Sequence, residues 1–207
     1  MKKNIGLLLV AALALTVFAG CGGSLKVDEN TVYVQKKGKI TGAAIENFDK
    51  DYYNAEELQT YVEERVAEYV AGHDKKSVKV ADFAVEEGVA KLNINYAGYE
   101  DYAEFNGVEM FVGTVPQALV AGYDFEDTFL KVEDGKLGAE VTKEEVTSND
   151  EYKVVILNEK VNVKVAGTVL YTSANYTSLA ASDTVAIKLP ENAQDGEELR
   201  ITYIIYK

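Results

Sequence analysis

Tryptophan is absent from this 207-residue chain, and cysteine and histidine occur once each, as Cys21 and His73. Proline and methionine are scarce too, with two of each. These shortages exclude chemistry before any fold is considered. One cysteine permits neither an intrachain disulfide nor a zinc site built from several thiolates. One histidine cannot supply an HExxH zinc motif, which needs two. A Ser-His-Asp arrangement would have to use His73, and no G-x-S-x-G elbow nominates a serine. No S-x-x-K signature and no phosphate-cradling glycine loop is present either. Positive charge is also in short supply, 21 Lys and Arg against 34 Asp and Glu for a net charge of −13. Without a basic stripe to neutralise phosphates, nucleic acid is not an expected partner.

What is present begins at the N-terminus. Met1-Lys2-Lys3-Asn4 precedes an apolar run from Ile5 to Phe18, the charged and apolar regions of an export signal. The run stops at Gly20-Cys21-Gly22-Gly23-Ser24, short of the roughly 20 apolar residues that a spanning helix needs. Phe18-Ala19-Gly20-Cys21 resembles the lipobox of bacterial lipoprotein signal peptides, with Phe18 where the usual pattern has Leu. That resemblance implies that the Cys21 thiol takes a diacylglycerol thioether and that the chain is cut before Cys21, leaving the new amino group open to acylation. The cut would leave 187 residues and, with Lys2 and Lys3 gone, move the net charge from −13 to −15. Acyl chains would hold such a chain on the cell membrane, facing the extracytoplasmic side, while its acidic body is repelled by anionic lipid. The layout resembles that of uncharacterised surface lipoproteins of Gram-positive bacteria.

Residues 1–20 therefore read as a signal peptide and 21–30 as a lipidated tether, which extends at most ~35 Å and averages ~17 Å as a flexible coil. Residues 31–128 read as an α+β lobe and 129–207 as a β-rich lobe, with no Pro- or Ser-rich linker to exclude one continuous domain. "TVYVQKKGKITGAAIENF" predicts a hairpin reversing at Lys37-Gly38. Asn54 then caps a helix whose apolar residues Leu58, Tyr61, Val62, Val66, Tyr69 and Val70 recur at three- and four-residue spacing up to Gly72. "SVKVADFAVEEGVAKLNINYA" predicts a second hairpin, "GYEDYAEFNG" a short helix, and "VEMFVGTVPQALV" a strand leading into a helix opened by Pro116. Past Phe129 strand patterns dominate: a hairpin at Asp134-Gly135, an apolar run Val154 to Leu157 paired with alternating Val161, Val163 and Val165 across Asn158-Glu159, and a closing "LRITYIIYK" apolar on both faces. The expected fold class is α+β, with antiparallel β-hairpins packed on one main amphipathic helix and followed by a β-rich C-terminal region.

Few residues stand out for function. Cys21 is the lipid-attachment residue. His73, past the end of the main helix, complements its C-terminal dipole or faces water. Asn47, Asp49 and Asp51 take the first, third and fifth places of an EF-hand-like loop, but Tyr52 stands where glycine belongs and Leu58 where a bidentate Glu belongs, so no metal is expected. Asp124, Glu126 and Asp127 share one turn-like stretch and are discounted in the same way. "YTSANYTSLAASDT", residues 171–184, reads as a long connection that sets adaptable polar side chains around Tyr176, a candidate aromatic contact for a protein or cell-wall partner.

No catalytic residue and no cofactor is nominated. The favoured reading is a membrane-anchored extracytoplasmic lipoprotein acting as a non-enzymatic binding or assembly module. A carboxylate-dependent hydrolase of cell-wall polysaccharide is the alternative, its stacking platform drawn from 14 tyrosines. Solute capture for a transporter is disfavoured, because the chain is small for two hinged lobes and lacks parallel α/β alternation.

Overall fold

The structure is a computed structural model that describes residues 24–189 and 199–207. Cys21 and the signal-peptide reading of residues 1–20 lie outside the described residues. Strand accounts for 42% of the described residues and helix for 21%, in two sheets and four helices.

The larger sheet, sheet A, forms from β1 (Thr31–Val34), β2 (Ile40–Asn47), β3 (Val78–Glu86), β4 (Val89–Tyr96), β9 (Asn162–Val165), β11 (Thr177–Ala181) and β12 (Thr184–Ile187), in the order β11-β12-β9-β1-β2-β4-β3. Sheet B contains β5 (Met110–Thr114), β6 (Phe129–Glu133), β7 (Lys136–Val141), β8 (Lys153–Leu157), β10 (Val169–Ser173) and β13 (Thr202–Tyr206), in the order β5-β8-β13-β10-β6-β7. Each sheet takes strands from both sides of residue 129. The N-terminal β1 lies parallel to β9 with Val32 opposite Val163, while β5 runs antiparallel to β8 with Val112 opposite Val155.

The helices are α1 (Ala55–Gly72), α2 (Tyr99–Asn106), α3 (Val115–Val120) and α4 (Lys143–Val146). The predicted cap of α1 forms, since the Asn54 side chain accepts from the Glu56 and Glu57 N–H groups. Thr114 and Gln117 close a reciprocal capping box at the start of α3. The predicted reversal at Asp134-Gly135 forms, and the second predicted hairpin reverses at Glu87-Gly88, all four residues with positive φ. Among the described residues, no helix is long and apolar enough to cross a membrane.

Two apolar clusters explain the layers. Val32 and Val34 of β1, Val163 and Val165 of β9, and Val185 and Ile187 of β12 face Val155, Leu157, Ile204 and Tyr206 of sheet B. The alternate residues of sheet B, Val154, Ile156, Tyr203 and Ile205, point the other way and pack under Val115 and Ala118 of α3, Val146 of α4, Phe125 and Phe129. Sheet B is thus a middle layer, and every residue of β13 is buried. Apolar runs in β8 and β13 are what two covered faces require.

The expected α+β class, with antiparallel hairpins packed on one main helix, is overturned: the described residues are mostly β-sheet, in two sheets with four short helices. The sheets bury their faces against each other, and in α1 only Val62 is buried while Tyr61 stays 61% exposed. Width is the reason: seven strands at ~4.8 Å spacing span roughly 30 Å, and a helix about 10 Å across shields only part of that. A second correction concerns the apolar run at Val154–Leu157 and the alternation at Val161–Val165. They do not pair, because the first lies in doubly covered β8 and the second in singly covered β9, so the link between them passes from sheet B to sheet A. Residues 171–184 are not a loop throughout, since β11 occupies Thr177–Ala181. α4, with one buried anchor at Val146, is too short to show a helical period.

Residues 24–30 depart from the flexible-tether expectation. The Leu25 N–H donates to Asn93 Oδ1 at 3.1 Å, Asn30 Oδ1 accepts from the Ile45 N–H at 2.6 Å, and Glu29 accepts from Asn162 and Lys188. This strap is fastened to sheet A.

Candidate functional site

Where sheet B no longer covers sheet A, α1 and α2 take over, and between them and the sheet lies a cleft of about 240 Å³. Its floor is bare because β2 carries Gly42 and Ala44 at alternate positions. A Cβ at residue 42 would sit 3.4 Å from Cε2 of both Tyr96 and Tyr102, so the glycine leaves room beside two rings. Leu92, Ile94 and Phe105 supply apolar wall, and Tyr61 and Arg65 of α1 complete the lining.

Glu159, in the link from β8 to β9, is the only carboxylate among the described residues that line this cleft. The Tyr102 hydroxyl donates to Glu159 Oε2 at 2.6 Å. Burial disfavours the charged carboxylate and raises its pKa, and the Tyr102 hydrogen bond opposes the rise only in part. Among the described residues, no lysine, arginine or histidine forms an ion pair with it.

The rings around Glu159 are held in place. Tyr96 and Tyr102 meet edge to face at 5.0 Å, and Tyr96 meets Phe105 at 5.8 Å. Asn106 Nδ2 donates to the Tyr96 hydroxyl and to the Tyr102 carbonyl, tying the end of α2 to the cleft. Burial pushes the Tyr96 hydroxyl up to about 12 and raises that of Tyr102 further, with the Glu159 charge adding to both. Arg65 lies with Cζ 5.9 Å from the Phe105 ring centre, and its ion pair is with Glu68 on its own helix at 3.6 Å.

His73 fastens the roof. It caps α1, stacks on Tyr69 at 3.9 Å, and places Nδ1 2.8 Å from the Tyr69 carbonyl and Nε2 3.2 Å from the Glu104 carboxylate of α2. With an acceptor at each ring nitrogen, the imidazolium is favoured and the pKa rises, the Tyr69 carbonyl contributing most. The Tyr69 hydroxyl adds bonds to Asp101 and Glu104. His73 is therefore a latch between two helices, a role beyond the dipole complement expected from its position.

The other residues singled out in the sequence lie elsewhere. Tyr176 sits at the turn from β10 to β11 with φ of 64°, and its carbonyl accepts from the Lys188 N–H at 2.8 Å. The structure brings it into one cleft with Asp124, Glu126, Asp127, Arg200 and Tyr203, a meeting that sequence distance concealed. These acids already have local duties: Asp124 accepts from the Glu126 N–H, Asp127 from the Thr128 N–H, and Glu126 from Lys143 Nζ at 2.7 Å. Asn47 ends β2, and Asp49 and Asp51 lie on the way to the Asn54 cap. Among the described residues, no group of three or more His, Cys, Asp or Glu is placed to hold a metal ion.

A third cleft, of about 830 Å³, runs beside Ser24 and Leu25 and is lined by Lys39, Lys75, Lys76 and Lys79. It is a local basic trough in an acidic protein.

Glu159 and Tyr102 escaped sequence reasoning because 57 residues separate them and Glu159 looks like an ordinary turn acid. The small residues Gly42, Ala43 and Ala44 inside a strand were the one local sign, since glycine within a strand often marks close approach of another group. No family model, no curated protein and no solved structure matches this chain.

Proposed function

We propose that this protein is a membrane-anchored extracytoplasmic lipoprotein, tethered through acylated Cys21, that works as a non-enzymatic binding module with its ligand site in the cleft beneath α1. The observation that carries the binding role is that, among the described residues, a single carboxylate lines that cleft. Glycoside hydrolysis calls for two acids, at ~5 Å or at ~6.5–9.5 Å, and Glu159 has no acidic companion among the lining residues. What Glu159 does have is an apolar and aromatic surround with a few polar groups converging, the usual make-up of a small-molecule site. The strap at residues 24–30 supports a body held close to the bilayer, because those residues add no free length to the tether.

Two measurements test this. Labelling cells with radioactive palmitate should mark the wild-type protein and not Cys21→Ser, which should also leave the envelope fraction. Equal labelling and equal sedimentation of the two would refute the anchor. Native mass spectrometry of protein recovered from cells should show a small-molecule adduct that Gly42→Val, with its branched side chain filling the floor of the cleft, does not carry. Wild-type protein without any adduct, or the same adduct on both, would refute the ligand site.

A second reading keeps the contact with a protein or wall polymer through Tyr176. It is favoured by the cleft that Tyr176 shares with Tyr203 and Arg200. Replacing Tyr176 with alanine should then remove partners that a Gly42→Val protein retains.

A further inference from the structure

We propose that the cleft beneath α1 takes a small zwitterion, a molecule with an ammonium group and an acid group on one short body, with the ammonium on Glu159 and the acid group on Arg65. This deepens the binding role proposed above and rests on it.

The charges carry the inference. Glu159 is a partly buried carboxylate that accepts from Tyr102 at Oε2, and among the described residues no lysine, arginine or histidine forms an ion pair with it. A carboxylate removed from water is costly unless paired, so the site lacks a positive group that a ligand can supply. Arg65 lines the same cleft, yet its ion pair runs to Glu68, a residue whose side chain is 77% exposed. At 3.6 Å between water-exposed side chains that pair is weak, and the guanidinium can turn to a stronger acceptor. Opposite charges therefore line one cleft without bonding each other, which suits a ligand carrying both signs.

The walls fit the same class. Tyr96 and Tyr102 set rings beside Glu159 and Phe105 lines the same cleft, and ring faces attract ammonium groups. Leu92 and Ile94 accept an apolar body. A space of about 240 Å³ falls just below the usual range for drug-sized ligands, which limits the occupant to something the size of a free amino acid. The Tyr102 hydroxyl fixes the carboxylate in advance, so little ordering remains to be done on binding.

Isothermal titration calorimetry of the purified full chain against a panel of free L-amino acids tests the proposal. The tightest binder is then compared with its methyl ester, which keeps only the ammonium, and its N-acetyl form, which keeps only the carboxylate. At least one free amino acid should bind, and each derivative should bind about ten- to a hundredfold more weakly, the loss of one charge-assisted contact. Glu159→Gln should bind the free and N-acetyl forms alike, and Arg65→Gln the free and ester forms alike, with Arg65→Lys restoring part of the preference. Thermal melts like those of wild type keep misfolding out of the comparison, and glutamine can still accept the Tyr102 bond.

Failure of every amino acid to bind, or an ester that binds as tightly as the free acid, overturns the zwitterion. Native mass spectrometry separates this from failure of the wider role. A cellular adduct that disappears in Gly42→Val and contains no ammonium overturns only the zwitterion. No adduct on the wild-type protein overturns the ligand site and the zwitterion with it.

Discussion

Sheet B and sheet A are built from similar strands but placed in different surroundings. In sheet B, β8 and β13 are covered on both faces, by sheet A on one side and by α3, α4 and the Phe125–Phe129 stretch on the other. In sheet A, the strands β1, β9 and β12 press on sheet B, while β2, β4 and β3 reach past its edge and are roofed by two helices that fit less tightly. Closed packing makes a scaffold. Incomplete packing leaves the cleft, and Glu159, the partly buried acid facing it, sits on the link between the two sheets. A rigid middle layer can therefore hold a site that is itself imperfectly filled.

The largest expected effect breaks or upholds this contrast directly. Ile204 of β13 is fully buried and Ile94 of β4 is 7% exposed beside the cleft. The same change, Ile→Ala, should cost about 4–5 kcal/mol at Ile204 and about 2–3 kcal/mol at Ile94, since destabilisation grows with the new cavity left behind and the cleft wall can relax. Urea unfolding of both variants measures this, and equal losses would erase the distinction. Next comes the cover of sheet B. Thr114→Ala removes the cap of α3 and should cost about 1 kcal/mol, by the same measurement.

A pH-dependent difference follows at Glu159. Its folded pKa is raised by burial, so the folded state holds the proton more tightly than the unfolded one. The contribution of Glu159 to stability is then most favourable below the unfolded carboxylate pKa of about 4.3 and is lost as pH climbs through the folded value. Glu159→Gln lacks this penalty and should match wild type near pH 4 and exceed it at pH 7, the opposite of its effect on ligand binding. A variant less stable at pH 7 would mean that the charge supports the fold.

The smallest effect is at the helix latch. The folded pKa of His73 is raised by the Tyr69 carbonyl and the Glu104 carboxylate, so its contribution is complete below the unfolded value of about 6.5 and disappears as pH rises through the folded one. His73→Gln should lower thermal stability slightly at pH 5.5 and leave it unchanged at pH 9. A loss that persists at pH 9 would assign the role to ring stacking on Tyr69 instead of charge.

Local elements were readable because their causes are local. The Asn54 cap, Pro116 at the start of α3, the Asp134-Gly135 reversal and the doubly apolar β13 each depend on a few neighbouring residues. The helical stripe of α1 was also readable, yet its share in the core was not, because a stripe reports what a helix can bury and not how much sheet competes for the same cover. The β8–β9 pairing was misread for a related reason. Adjacent strands usually pair, and only the difference between a continuous apolar run and an alternating one hinted that they belong to separate sheets.

The order of residues was enough to specify the Asn54 cap, the Pro116 start of α3, the Asp134-Gly135 reversal and the doubly apolar β13, and it carries the lipobox-like motif at Cys21 on which the anchoring proposal depends. It could not specify the meeting of Glu159 with Tyr102 or of His73 with Glu104, or the cleft that Tyr176 shares with Asp124. Backbone preferences act over a few residues, whereas these contacts are set by how two sheets and their helices divide the available apolar surface, a balance struck across the whole chain.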